Sequence, residues 1–172
     1  HSNMGLAYNG LGDYDQALNC HMKAPELRTA IHGPDHPQVA LSFNNIGRVY
    51  RNKKEYDKAL EFCDKGLHIR EKKLGEKYPK TAISYKSIAE IHKETGNNME
   101  ALKWAEKAKA ADPKSSEIIS LSGTIYQSLG RYEEALEQFE LCLKLQQERK
   151  SSEESVKETE EKIIELKKLM EG

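Results

Sequence analysis

The histidines and cysteines are the residues of this 172-residue sequence that could support metal or thiol chemistry. His32 and His36 stand four residues apart, the spacing at which two imidazoles on one helix can share a metal ion. Gly33 and Pro34 lie between them and prevent a continuous helix, so the pair does not predict a metal site. We expect His36 and Pro37 to cap the helix that follows.

The three cysteines, Cys20, Cys63 and Cys142, are odd in number and lack Cys-x-x-Cys spacing. This pattern favours unpaired thiols in a reducing compartment, and therefore a cytoplasmic protein. Cys20 and Cys63 have apolar neighbours and no evident base, which favours structural thiols over nucleophiles. The sequence also has no glycine-rich phosphate loop and no Gly-x-Ser-x-Gly elbow. We therefore expect neither an enzyme nor a cofactor.

Side-chain amide and guanidinium groups are better suited to binding a ligand than to catalysis. The stretch GPDHPQVALSFNNIGRVY, residues 33–50, places Asn44, Asn45 and Arg48 after a proline-bearing loop. A side-chain amide can match the N–H and C=O groups of an extended peptide, and an arginine favours carboxylates. The same residues could also form an ordinary solvated helix face. Which of these alternatives applies depends on how the helices that carry these residues pack.

The composition narrows the class of protein. Charged residues make up 32% of the chain and hydrophobic residues 37%, enough apolar content to fold as one domain or a short repeat array. A net charge of −1 gives no basic footprint for nucleic acid. No apolar run approaches the roughly 20 residues of a membrane span, so no membrane partner is expected.

A repeat organises the chain. The segment that starts at Tyr14 aligns without a gap with the segment that starts at Tyr56, a shift of 42 residues (56 − 14 = 42). Small residues recur at spacings of 42, 42 and 34, as in the series Gly5, Gly47, Ala89 and Gly123. Within each unit the apolar residues fall on one face of each of two consecutive helices. The sequence therefore predicts an all-α array of helical hairpins.

Pro25 interrupts this regularity. It stands where the next unit has Leu67, in the middle of the second helix of its unit (67 − 25 = 42). An interior proline costs a helix about 3 kcal/mol and removes a hydrogen bond. We expect a kink or break there, with two separate helical pieces.

The segment SGTIYQSLGRYEEALEQFELCL, residues 122–143, has the small-x-x-Tyr, turn and Ala-x-x-x-Phe pattern. It resembles the tetratricopeptide repeat, whose usual length is the 34-residue spacing found here. The two 42-residue units, with HGPDHPQVA and LGEKYPKTA between helices, resemble the longer repeats of kinesin light chains. This resemblance implies a right-handed solenoid whose first helices line a concave groove.

The expected organisation is a repeat array over residues 1–149 and a C-terminal capping helix over 152–170. The units are 1–33, which begins inside a helix and is thus truncated, 37–75, 79–112 and 115–149. We therefore expect a piece of a longer solenoid, able to self-associate through its first unit. A coiled-coil partner helix remains the alternative for the C-terminal segment.

Eight residues are the expected groove contacts. Asn45, Arg48, Arg51 and Lys86 match positions that kinesin-light-chain-like repeats use to hold cargo peptides. The polar stripe of the first helices adds Asn3, Asn44, Asn52 and Lys93.

These features predict a non-catalytic interaction scaffold that binds a protein or an extended peptide, with acidic ligands and a cargo-adaptor role as specific forms. Glu90 and Glu94 weaken the case for a purely acidic ligand. The clamp that other tetratricopeptide proteins use for chaperone carboxylates does not fit the residues at its positions. An architectural, self-assembling segment and an accessory module of a larger multidomain protein remain alternatives.

Overall fold

The computed structural model describes residues 2–171, with only the backbone described for Ser2. This part of the chain forms ten α-helices and no β-strand, which confirms the all-α prediction. The helices are α1 Ser2–Gly10, α2 Tyr14–Met22, α3 Ala24–His32, α4 Pro37–Asn52, α5 Tyr56–Leu74, α6 Pro79–Glu94, α7 Asn98–Ala111, α8 Ser116–Ser128, α9 Tyr132–Glu148 and α10 Glu153–Glu171.

Consecutive helices pack as hairpins. Helix α1 packs against α2, α4 against α5, α6 against α7 and α8 against α9, while α5 also packs against α6 and α7 against α8. A glycine lies at the contact between the two helices in the α4–α5 and α8–α9 hairpins. A Cβ atom built on Gly47 would lie 2.7 Å from Cys63 Sγ, and one on Gly123 would lie 2.7 Å from Phe139 Cε1. Glycine at these positions lets the paired helices approach closely.

Helix ends follow the local sequence. Pro37 and Pro79 are the first residues of α4 and α6, where the missing amide N–H costs nothing. His36 Nδ1 accepts a hydrogen bond of 3.2 Å from the Gln38 amide, which confirms the expected cap. Gly33 and Gly75 end α3 and α5 with φ angles of 87° and 86°, a region that favours glycine.

The expected break near Pro25 is confirmed. Helix α2 ends at Met22 and α3 begins at Ala24, with Lys23 between them. Pro25 therefore lies in the first turn of α3, where a proline is tolerated. It lines an open apolar hollow of about 540 Å³ together with Phe43 and Phe62.

Helix α10 packs along α9 at the C-terminal end of the array. Ile163 and Leu166 are buried in this contact, and Gln146 Nε2 donates a hydrogen bond of 2.8 Å to Ser155 Oγ. Ser152 Oγ accepts a hydrogen bond from the Ser155 amide, as expected of a helix-starting serine.

Candidate functional site

A pocket of about 290 Å³ opens between α4 and α6, the first helices of the second and third hairpins. Its polar rim consists of Arg48, Arg51, Lys86, Ser87 and Glu90. The tertiary structure therefore brings together three of the eight expected site residues from two different helices. We call this feature the α4–α6 pocket.

The base of the α4–α6 pocket is formed by the buried residues Gly47, Cys63 and Ile91, and the exposed Ile83 adds an apolar side chain to its wall. Cys63 is only 1% exposed, and burial raises the pKa of its thiol to about 12. The thiol therefore stays protonated near neutral pH, unlike the thiolate of an activated nucleophile. This base can contact an apolar group but offers no chemistry of its own.

Arg51 is already paired with carboxylates of the neighbouring hairpin. Its guanidinium forms ion pairs with Glu90 and, at 3.5 Å from Nε, with Glu94. Arg51 therefore links α4 to α6, and a ligand carboxylate would have to compete with two internal ones. The sequence showed these acidic residues on the same stripe but not their pairing with Arg51, from which they are 39 and 43 positions apart in the chain (90 − 51 = 39; 94 − 51 = 43).

Lys86 is engaged in a similar way one hairpin further along. It forms an ion pair with Glu117, and this contact joins α6 to α8. The hydrogen bond from Lys86 holds the pKa of the Glu117 carboxyl below its ordinary value. Two of the expected groove cations therefore serve the contacts between hairpins.

Arg48 is the exception among the rim cations. Its side chain is exposed, and its Nη2 donates a hydrogen bond of 3.4 Å to Asn45 Oδ1. No carboxylate of residues 3–171 lies within ion-pair distance of Arg48. Desolvation by neighbouring protein atoms and the nearby Arg51 lower the pKa of Arg48, but a guanidinium remains charged at neutral pH. Arg48 and Asn45 thus form a cation–amide pair at the edge of the pocket.

The expectation that Asn44 faces the groove is wrong. Asn44 is only 6% exposed and lies between α4, α5 and α6. With its amide oriented to satisfy every hydrogen bond, its nitrogen donates to the Ala40 carbonyl at 3.3 Å, and its oxygen accepts from Ser84 Oγ at 3.1 Å and Arg70 Nη1 at 2.9 Å. Helix α5 makes room for this side chain with Gly66.

The remaining expected residues lie outside the pocket. Asn52 donates a hydrogen bond of 3.1 Å to Asn9 Oδ1 and so joins α4 to α1. Asn3 is exposed on α1, and Lys93 is half-buried on α6.

The histidine and cysteine positions do not converge on a reactive centre. The rings of His32 and His36 stack with their centroids 4.5 Å apart across the turn. Within residues 2–171, no three His, Cys, Asp or Glu side chains are grouped so that they could hold a metal ion. The same residues include no helix with the length and apolar character of a bilayer span.

Comparison with known families decides what kind of repeat this is. A tetratricopeptide-repeat family model matches residues 1–62 and 40–114, and a second such model matches residues 116–149. The chain belongs to the tetratricopeptide-repeat family. Tetratricopeptide repeats are a scaffold for interactions between proteins. No curated protein sequence matches the chain.

Solved structures with the same fold include kinesin-light-chain-like repeat proteins. A Podosopora anserina protein assigned to the kinesin light chains, with nearly identical TPR-like repeats, superposes with a TM-score of 0.76 at 19% identity. That match covers 96% of this chain and 82% of the other, and a point variant of the same protein gives a TM-score of 0.78. BtubC (BKLC) from P. vanneervenii matches with a TM-score of 0.76 at 17% identity, over 88% of this tetratricopeptide chain and 63% of its own.

Proposed function

We propose that this tetratricopeptide chain is an interaction module that binds an extended peptide across α4 and α6. The α4–α6 pocket carries this proposal, because it combines an apolar base with the Arg48 guanidinium on its rim, and the Asn45 amide is hydrogen-bonded to Arg48 beside it. Its volume of about 290 Å³ suits a single side chain better than a cofactor. Asn45 would meet the peptide backbone, and Arg48 would meet a carboxylate.

The ion pairs of the rim narrow the ligand chemistry. Arg51 and Lys86 already have internal carboxylate partners, so Arg48 is left as the rim cation open to a ligand. We therefore propose a ligand with one acidic side chain near an apolar one, rather than a run of acidic residues. Added salt should weaken such a complex only modestly, because one ion pair contributes little at an exposed position.

Selection of peptides by the intact chain tests the proposal. Peptides enriched from a random phage-displayed library would be titrated calorimetrically against the wild type and against Arg48→Glu and Asn45→Ala. The matched control is Arg149→Glu, which makes the same charge change at an exposed position after α9. We expect Arg48→Glu to weaken binding about tenfold, which corresponds to about 1.4 kcal/mol.

Two outcomes would contradict this assignment. Equal affinity of the wild type and Arg48→Glu for the peptide would show that the α4–α6 pocket does not contribute to binding. A library that yields no enriched peptide would argue against extended-peptide binding altogether.

At the cellular level, we propose a cytoplasmic adaptor role similar to that of kinesin light chains. The support is the 42-residue repeat length and the likeness in fold to kinesin-light-chain-like repeats. The enriched peptide, fused to a fluorescent cargo, should recruit the chain in cells, and loss of recruitment in Arg48→Glu would be expected.

Self-association is a second candidate function, favoured by the exposed apolar side chains of the first unit. Leu27 and Ile31 are one turn apart on α3 and are 59% and 72% exposed. The equivalent of Leu27 in the next unit, Ile69, is buried against Val39 and Ala40 (69 − 27 = 42). Light scattering over a concentration series should show a dimer that Leu27→Lys abolishes. A monomer at all concentrations would exclude this function.

A further inference from the structure

The two long repeat units share a polar contact that connects each unit to the next. Arg28 Nη1 donates a hydrogen bond of 2.6 Å to Ser42 Oγ, and Arg70 Nη1 donates one of 2.7 Å to Ser84 Oγ. Both arginines and both serines are 42 residues apart (70 − 28 = 42; 84 − 42 = 42). The contact is therefore a feature of the long repeat, and it joins the second helix of one unit to the first helix of the next.

The shorter third unit, residues 79–112, lacks the elements needed for this contact with the last unit. Helix α5 continues to Leu74, whereas α7 ends at Ala111. The position equivalent to Arg70 is Asp112, which lies beyond the end of α7 (112 − 70 = 42). The position equivalent to Ser84 is Ile118 (118 − 84 = 34). The extra turn of α5 thus supplies a residue for packing between hairpins.

Arg70 is an unusual component of a helical core. It is only 3% exposed, its partners are the neutral Ser84 and Asn44, and within residues 3–171 it forms no ion pair. Burial lowers its pKa to about 10. A buried charge without a counter-ion is a poor source of stability, and its value commonly lies in the geometry that it imposes.

The contact lies directly behind the α4–α6 pocket. Asn44 and Ser84 are buried, whereas the next residue of α4, Asn45, and the preceding residue of α6, Ile83, belong to the groove side. The hydrogen bonds of Arg70 therefore tie together the two helices between which the pocket opens.

We propose that Arg70 is a positioning residue that holds α6 at a set distance from α4 and thereby sets the width of the α4–α6 pocket. The inference rests on the proposed function only for the role of the pocket in binding. The geometry itself can be tested without a ligand, since the pocket contains its own reporter in the Cys63 thiol.

The test compares alkylation rates of the native cysteines by N-ethylmaleimide, followed by mass spectrometry of the peptides. In Arg70→Met the two helices lose the guanidinium link, while the hydrogen bond between Asn44 and Ser84 and the ion pair between Arg51 and Glu90 remain. We expect Cys63 to react about five times faster because local opening becomes easier. Cys142, buried between α9 and α10, should react at the wild-type rate. The matched control is Arg28→Met, which removes the corresponding contact of the first unit and should leave Cys63 unchanged.

The outcomes separate positioning from general stability. An unchanged or slower reaction of Cys63 in Arg70→Met overturns the proposal. An equal acceleration of Cys63 and Cys142 also overturns it, because that result indicates global destabilisation. Ser84→Ala removes the same hydrogen bond with less change of volume. If Arg70→Met does not fold, Ser84→Ala must show the selective acceleration of Cys63 or the proposal fails.

Discussion

Asn44 on α4 lies directly over Gly66 on α5. A methyl group on Gly66 would overlap the Asn44 side-chain amide and lie 3.0 Å from the Ala40 carbonyl oxygen. The buried amide and the glycine therefore form one unit, in which the absence of a side chain on one helix creates the space for a polar group on the other. This arrangement brings Asn44 within reach of Arg70 and Ser84.

Gly66→Ala is expected to destabilise the chain, although alanine is the better helix former. The gain in helix propensity is about 1 kcal/mol. Overpacking against a rigid neighbour costs about 1–3 kcal/mol, so we expect a net loss of about 1 kcal/mol. Urea denaturation would measure this change in the free energy of unfolding. Gly10→Ala is the matched control, since a Cβ there meets no atom within 4 Å. Equal stability of the Gly66→Ala protein and the wild type would contradict the close contact.

The adjacent asparagines of α4 should respond differently to alanine. Asn44→Ala leaves Arg70 and Ser84 with fewer buried partners, a loss that costs about 1–3 kcal/mol. Asn45→Ala removes a half-buried amide with one long hydrogen bond to Arg48, so its free energy of unfolding should stay within about 0.5 kcal/mol of the wild type. Denaturant titrations of the two variants compare them directly. A larger loss of stability in Asn45→Ala than in Asn44→Ala would contradict the buried position of Asn44 and would favour a groove-facing one.

His21 should make stability fall in mild acid. It is 1% exposed, neither ring nitrogen has a hydrogen-bond partner in residues 3–171, and a Cβ on Gly5 would overlap its ring. Burial lowers the pKa of His21, and Arg48 on α4 and Arg28 on α3 lower it further. Because the folded-state pKa lies below that of the unfolded chain, this contribution is present above about pH 6.5 and is lost as the pH falls through the folded-state value.

Unfolding midpoints measured at pH 7.5, 6 and 5 would check this dependence. His21→Phe is a suitable comparison, because Phe139 packs against Gly123 at the same position of the last unit. The variant should show a smaller decrease between pH 7.5 and 5. An equal decrease in both proteins would assign the pH dependence to other groups.

Pro25→Leu should stabilise the first unit. Leucine supplies the amide N–H that a continuous helix across residues 23–25 requires and extends an apolar side chain into the hollow lined by Phe43 and Phe62. The equivalent Leu67 is buried in a continuous helix. We expect a net gain of about 1 kcal/mol with more helical circular dichroism, because burial of a leucine side chain contributes about 1.5–3 kcal/mol, whereas the loss of proline's restriction of the unfolded chain costs about 0.4–1 kcal/mol. Pro113→Leu, in the exposed loop after α7, should give neither change. A destabilised Pro25→Leu would show that the break itself is required for packing.

The local secondary structure of this chain can be predicted from its sequence. The 42-residue spacing predicts paired helices, the prolines at 37 and 79 predict where two of them begin, and Pro25 predicts the break before α3. These features depend on short-range sterics and helical periodicity, which act within a few residues.

The site required the tertiary structure, because it depends on distant partners. Adjacent asparagines look equivalent in a sequence, yet Gly66 and Ser84 bury Asn44 while Asn45 stays beside Arg48. Likewise, Arg51 and Arg48 both resemble ligand cations, but Glu90 of the next hairpin pairs with Arg51. The sequence by itself determined which residues are helical and how the units repeat. Only the packing of one hairpin on the next decided which polar groups remain open to a partner, since burial and charge compensation arise from that packing.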